Sequence, residues 1–189
     1  AEMLADQVPI TVVRPGIVFG PGDRLLLPAF RAVRSMRVHV VPGLQPPPLS
    51  YVYVDDLVKL LCNAARSGRR LPAERQRHNG DGYYFACAPE HPNYSEFGRM
   101  LREAVGRRFA PIVHLPEPLP TLFASLQEVA ARVTGTTQPL NRDKIREALV
   151  QSWACSGAAA ARDIGFHPTK PLAERVRTTA QWYIDHGWL

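Results

Sequence analysis

The amino-acid sequence predicts an α/β protein with buried parallel strands, and two observations carry that expectation. Ile10-Thr11-Val12-Val13 sets four β-favouring residues in a row and ends at Arg14-Pro15-Gly16, after which Ile17-Val18-Phe19 runs into Gly20-Pro21-Gly22-Asp23. A short apolar run that stops on glycine and proline reads as a strand covered on both faces. Beyond it, short β-favouring segments alternate with amphipathic ones along the chain, the order expected of an α/β protein. Ligands of open α/β sheets bind beyond the carboxyl ends of strands, so the loop after Val13 is the first place to look for chemistry.

The elements follow in order. Ala1 to Gln7 are good helix formers with no cap in front of them, as at the tail of a helix. Arg24 to Met36 spaces its apolar residues helically, Val38 to Val41 is a short strand, and Gln45 to Pro48 is a proline-rich loop. Leu49 to Val54 reads as an alternating strand, and Asp55-Asp56 opens a helix over Leu57 to Arg66, with both carboxylates expected to cap free N–H groups. Gly82 to Ala88 is a core strand. Asn93 and Glu96 form a capping box for a helix from Tyr94 to Arg107, and Pro111 to Pro116 is a strand. Helices are expected over Thr121 to Thr134, Asn141 to Ala148, Gly157 to Asp163 and Leu172 to His186.

With 189 residues, 46% of them hydrophobic, the chain can bury a real core and suits one domain or a large part of one. Its apolar runs fall far short of a bilayer span, and no basic-then-apolar signal segment opens it, so a soluble, cytoplasmic protein is expected. The net charge of +6 admits a polyanionic partner, yet only Arg66, Arg69, Arg70, Arg75 and Arg77 cluster, in a segment rich in helix breakers and without aromatic residues. A solvated loop is the expectation there, and nucleic acid is not an expected partner. Cys62, Cys87 and Cys155 lie far apart and read as free thiols, and neither they nor the six histidines show metal-ligand spacing. No metal is expected.

The order Arg14-Pro15-Gly16-x-Val18-Phe19-Gly20-Pro21-Gly22-Asp23 resembles the middle of the extended short-chain dehydrogenase/reductases, the NAD(P)-dependent epimerase/dehydratase superfamily. Val54-Asp55-Asp56 and the closing Ile164-Gly165-Phe166-x-Pro168 with Trp182-Tyr183 are similar to the same superfamily, in its order. The resemblance implies the C-terminal part of a Rossmann-type doubly wound sheet plus a small mixed α/β substrate-binding subdomain. Residues 1–88 would supply the sheet and 89–189 mainly the subdomain.

It also implies a site. Pro15, Gly16, Ile17 and Val18 correspond to the backbone that meets the nicotinamide, with Pro15 fixing the chain direction and Gly16 allowing close approach of a flat ring. The catalytic Tyr-x-x-x-Lys of the superfamily precedes the Arg-Pro strand and has no counterpart here, and no Gly-x-Gly-x-x-Gly or Gly-x-x-Gly-x-x-Gly occurs in the chain. No catalytic residue is therefore assigned. NAD or NADP is expected in the intact enzyme, with none bound tightly by this chain alone. The expected partners are a small-molecule substrate, an N-terminal dinucleotide-binding half and, through an uncovered sheet face, a second copy.

Members acting on nucleotide-diphosphate sugars commonly carry an arginine where this chain has Leu49, and an Arg-x-x-Asp element where it has Gln151 to Cys155. Leucine and tryptophan cannot clamp a diphosphate. The chain is accordingly most similar to the 3β-hydroxysteroid dehydrogenase and dihydroflavonol reductase branch, with a less charged carbinol or ketone as substrate and Leu26, Leu27, Phe30 and Trp153 as candidate pocket wall. The alternative is a non-catalytic binding module for an anionic partner through the Arg66 to Arg77 loop.

Overall fold

A computed structural model describes residues 4–5, 7–72, 80–116 and 152–189. The helices expected over Thr121 to Thr134 and Asn141 to Ala148, part of the Ala1 to Gln7 segment, and Arg75 and Arg77 of the basic loop lie outside the described residues.

The described residues form six strands, all paired in parallel. Strand β1 (Val12–Pro15) pairs with β5 (Tyr83–Ala86), β2 (Ile17–Phe19) with β4 (Tyr51–Tyr53), and β3 (His39–Pro42) with β6 (Ile112–Leu115). Parallel pairs need crossovers, and helices supply them. Helix α1 (Leu27–Arg31), which runs on into a π-helical turn at Ala32–Met36, lies between β2 and β3, and α2 (Val54–Ser67) lies between β4 and β5. Helices α3 (Tyr94–Ala104), α4 (Ala158–Ile164) and α5 (Leu172–Asp185) follow.

Strand β4 is buried throughout, and its alternation separates two apolar layers rather than core from solvent. Tyr51 and Tyr53 join Phe19, Phe30, Phe97, Leu101, Val176 and Tyr183 in one cluster, contributed by β2, α1, α3 and α5. Val52 joins Leu60, Tyr84, Ala86 and Ile164 in the other, contributed by α2, β5 and α4. The described strands form three two-stranded sheets, and in the β2–β4 pair period-two side chains feed both faces, each covered by helices, the condition under which parallel sheets are stable.

Two expectations need correction. The helix anticipated from Arg24 begins only at Leu27, because the Asp23 carboxylate accepts the N–H groups of Leu25 at 2.7 Å and Leu26 at 3.1 Å. That turn leaves Leu25 85% exposed, and Pro28, which has no N–H, sits in the first helical turn where none is needed. The second concerns Asp55 and Asp56. No side chain caps α2, and Asp56 is instead buried, its carboxylate oxygens 2.9 and 3.0 Å from Arg175 Nη2 on α5. Thr169 donates to the same carboxylate at 3.2 Å and accepts from Arg175 at 2.7 Å, while the guanidinium lies 4.1 Å from the centre of the Tyr53 ring.

The capping box forms as expected, with the Asn93 side chain accepting Glu96 N–H and Glu96 accepting Asn93 N–H, both at 2.9 Å. Helix α3 then lies so close to β3 that a Cβ on Gly98 would fall 2.2 Å from the His39 ring. His39 is buried, its Nε2 hydrogen-bonded to the Tyr94 carbonyl at 2.9 Å, and burial holds its pKa below the ordinary imidazole value.

Removing one partner from a buried ion pair leaves the other charge uncompensated. Arg175→Met is therefore expected to lower unfolding free energy by about 3–5 kcal/mol, and Asp56→Leu/Arg175→Met by clearly less, as measured by urea denaturation.

Candidate functional site

Between β1 and β2 a single residue, Gly16, separates two different pairings. The Gly16 N–H donates to the Ala86 carbonyl at 3.0 Å, at the end of β5, and the next N–H, that of Ile17, donates to the Ser50 carbonyl at 2.8 Å, at the start of β4. The chain thus changes partner strand within one step. This brings it against the Ser50 backbone: a Cβ on Gly16 would lie 2.5 Å from the Ser50 oxygen. Glycine is required here by the sheet itself, which is a different reason from the approach of a flat ring.

At this point the structure has a cavity of about 650 Å³. Pro15, Gly16 and Ile17 form one wall, Leu49, Ser50, Phe85 and Tyr94 line it further, and the segment Ser152 to Cys155 forms the other wall. That segment runs beside the entrance to β4. Trp153 N–H donates to the Pro48 carbonyl at 3.0 Å, Trp153 bridges Leu49 in parallel, and Cys155 N–H donates to Ser50 Oγ at 2.8 Å. A second cavity of about 660 Å³ adjoins Ala154 and Cys155 from the far side, with Cys87, His91 and Phe166 among its walls.

The expected site residues are distributed as follows. Pro15, Gly16, Ile17 and Trp153 come together around the first cavity, with Trp153 46% exposed. Val18 packs against the cluster of Val52 and Leu60. Leu27 and Phe30 are buried in the cluster of Tyr51 and Tyr183, and Leu26 packs against that cluster. Ser50, Phe85 and Tyr94 were not singled out from sequence. The available signal was Ser50, a small hydroxyl residue in an otherwise apolar and aromatic run from Leu49 to Val54.

Few groups here can carry proton chemistry. Burial, and next the neighbouring Cys155 thiol, push the Cys87 thiol up to about 12, and Cys87 Sγ lies 3.1 Å from the Cys155 carbonyl oxygen. Burial also raises Tyr51, whose hydroxyl has no partner among the described residues. Both remain protonated at neutral pH. Among the described residues no group of three or more His, Cys, Asp or Glu side chains could hold a metal ion. Of the basic loop, Arg69 is paired with Asp81 at 3.1 Å and Asp163 at 3.3 Å.

The profile of the 3-beta hydroxysteroid dehydrogenase/isomerase family matches residues 5–117, more than half of the chain. The chain belongs to this family. It is 27% identical over 180 residues to the ceramide reductase of Caulobacter vibrioides, a match that covers 94% of this chain and 52% of the reductase. It is also 27% identical over 173 residues to 3beta-hydroxysteroid-dehydrogenase/decarboxylase isoform 2 of Arabidopsis thaliana, covering 88% of this chain and 30% of the plant protein. The chain therefore spans about half the length of the first relative and less of the second.

Among solved structures, the dTDP-glucose 4,6-dehydratase DesIV of Streptomyces venezuelae, crystallised with NAD and TYD bound, superposes with a TM-score of 0.67 at 13% identity, over 99% of this chain and 48% of that one. At that identity the likeness carries the fold alone. It agrees with the parallel strand pairs and covering helices described above, so this member of the 3-beta hydroxysteroid dehydrogenase/isomerase family has the Rossmann-type α/β fold expected of it. Among the described residues, no helix is long and apolar enough to cross a membrane.

Burial shields the Cys87 sulfur and keeps it as the thiol, and alkylating agents attack only the thiolate. With iodoacetamide at pH 8, the exposed Cys62 is expected to be modified within minutes while Cys87 stays unmodified until the chain is denatured, as followed by peptide mass spectrometry.

Proposed function

We propose that this chain is the substrate-binding half of an NAD(P)-dependent oxidoreductase that acts on a carbinol or ketone and not on a nucleotide sugar. One observation carries the reading. Leu49 and Trp153, which stand where nucleotide-sugar enzymes of the superfamily are expected to hold phosphate, bridge to one another and line the same cavity. A leucine and an indole offer apolar surface to a ligand and no bidentate donor for a diphosphate. Names of the relatives point the same way, a ceramide reductase and a hydroxysteroid dehydrogenase/decarboxylase.

In this reading Pro15, Gly16 and Ile17 face the nicotinamide, which when bound supplies or accepts the hydride, and Val18 contributes backbone only, its side chain packing against Val52 and Leu60. The fit is one of shape and of selective polarity. Pro15 has no N–H, and the N–H groups of Gly16 and Ile17 are engaged by Ala86 and Ser50, so the loop meets a ring through apolar surface and carbonyl oxygens. Trp153, Phe85 and Leu49 exclude water from the carbon that changes oxidation state. Leu26, Leu27 and Phe30 support the substrate side from within the core. The glycine-rich phosphate turn and the proton-transferring tyrosine and lysine come from a dinucleotide-binding half, so the chain alone is inactive. Residues 1–88 carry five of the six described strands and 89–189 mainly the substrate side, and the protein works in the cytoplasm. The anionic-partner alternative is disfavoured because Arg69 is already paired with two carboxylates.

Titration by isothermal calorimetry separates these statements. The isolated chain is expected to bind androst-4-ene-3,17-dione, to bind it more weakly after Trp153→Ala, and to show neither NADH nor UDP-glucose binding below about 1 mM. Micromolar binding of NADH, or a preference for UDP-glucose over the ketone, would contradict the proposal.

A further inference from the structure

Ser50 bonds to both walls of the first cavity, and it does so with two different parts of itself. Its carbonyl oxygen takes the Ile17 N–H at 2.8 Å on the loop side, and its hydroxyl oxygen takes the Cys155 N–H at 2.8 Å on the Trp153 side. The residue is 3% exposed and lines the cavity between those walls. A hydroxyl that accepts one bond still has a proton to direct, and His91 Nδ1 lies 3.2 Å away. In the tautomer with its proton on Nε2, His91 Nδ1 can accept the Ser50 O–H, which leaves a lone pair of the hydroxyl for Cys155.

We infer that Ser50 is a positioning residue that sets the separation of the nicotinamide-facing loop from the Trp153 wall, with His91 orienting its hydroxyl. What enters the cavity rests on the function proposed above, whereas the coupling of the walls does not. The backbone half of the device survives any substitution, because the Ile17 bond uses the carbonyl. The side-chain half does not. Ser50→Ala removes the acceptor of Cys155 N–H and loosens the segment at that end, while the Trp153 N–H stays on the Pro48 carbonyl and the pairing of β2 with β4 stays in place.

The test uses the whole chain without ligand. In Ser50→Ala, hydrogen exchange of the Cys155 amide is expected to accelerate about tenfold, the loss of one buried hydrogen bond, with exchange over β2 and β4 unchanged. Tryptophan emission should shift, and the shift should vanish in a Trp153→Phe background. Ser50→Thr, which keeps the hydroxyl, restores both readouts. His91→Leu moves them partway, and His91→Asn, which keeps an acceptor near the Nδ1 position, does not. Unchanged exchange of the Cys155 amide in a folded Ser50→Ala chain would overturn the inference, and so would acceleration spread equally over β2 and β4. If Ser50→Ala fails to fold, the His91 pair decides, and identical behaviour of His91→Leu and His91→Asn would overturn it. A wild-type chain that does not bind the steroid counts against the proposed function and leaves these readouts standing.

Discussion

The rest of the structure depends on how closely two backbones pass at Gly16 and Ser50. Strands in a parallel sheet normally keep the same neighbour along their length, whereas here the chain leaves β5 and takes up β4 within one residue. A methyl group at the changeover would sit 2.5 Å from a carbonyl oxygen, so the geometry exists only because residue 16 has no side chain. Beyond it, Phe19 enters one apolar layer and Val18 packs against the other, which fixes the two faces that the helices cover. The splaying of β1 from β2 also places a cavity at the strand end, where α/β sheets bind their ligands.

Around that point the chain is held by ties between residues far apart in sequence. The Asp56 and Arg175 pair fastens α5 to the start of α2, and the Tyr183 hydroxyl donates to the Asp23 carbonyl at 2.6 Å, fastening the same helix to the loop after β2. Phe30 meets the Tyr183 ring edge-on at 5.1 Å, and Tyr51 stacks on Phe97 at 4.4 Å. Helix α5 thus braces both strands that flank the site. Polar and aromatic contacts supply the direction of packing that dispersion between aliphatic groups would leave loose.

Local signals in the sequence were reliable where the governing interaction is local. Asn93 and Glu96 lie three residues apart and bond to each other's backbone, so the capping box is legible without knowledge of the fold. The strands and their glycine and proline stops were legible for the same reason. Asp56 was misread because its partner is 119 residues away; a carboxylate after a strand looks like a cap whether or not an arginine reaches it. The clue was Arg175, which occupies an apolar-face position between Leu172, Val176 and Thr179 on a helix otherwise read as amphipathic. Leu25 was placed in a helix by its spacing, and Asp23 two residues earlier bends the chain first. In the site, the loop 15–17 and Trp153 were visible through the resemblance, whereas Ser50 required knowing that residues 105 positions apart meet.

The measurement that bears most directly on this account is the stability and ligand affinity of Gly16→Ala. Overpacking against a fixed backbone typically costs 1–3 kcal/mol, and here both backbones belong to sheet pairings that cannot shift independently. Urea denaturation is expected to show a loss of about 2 kcal/mol or more, together with weaker binding of the steroid ketone. An alanine variant as stable as the wild type, with the cavity intact, would contradict the claim that the Gly16 and Ser50 crossing organises the fold.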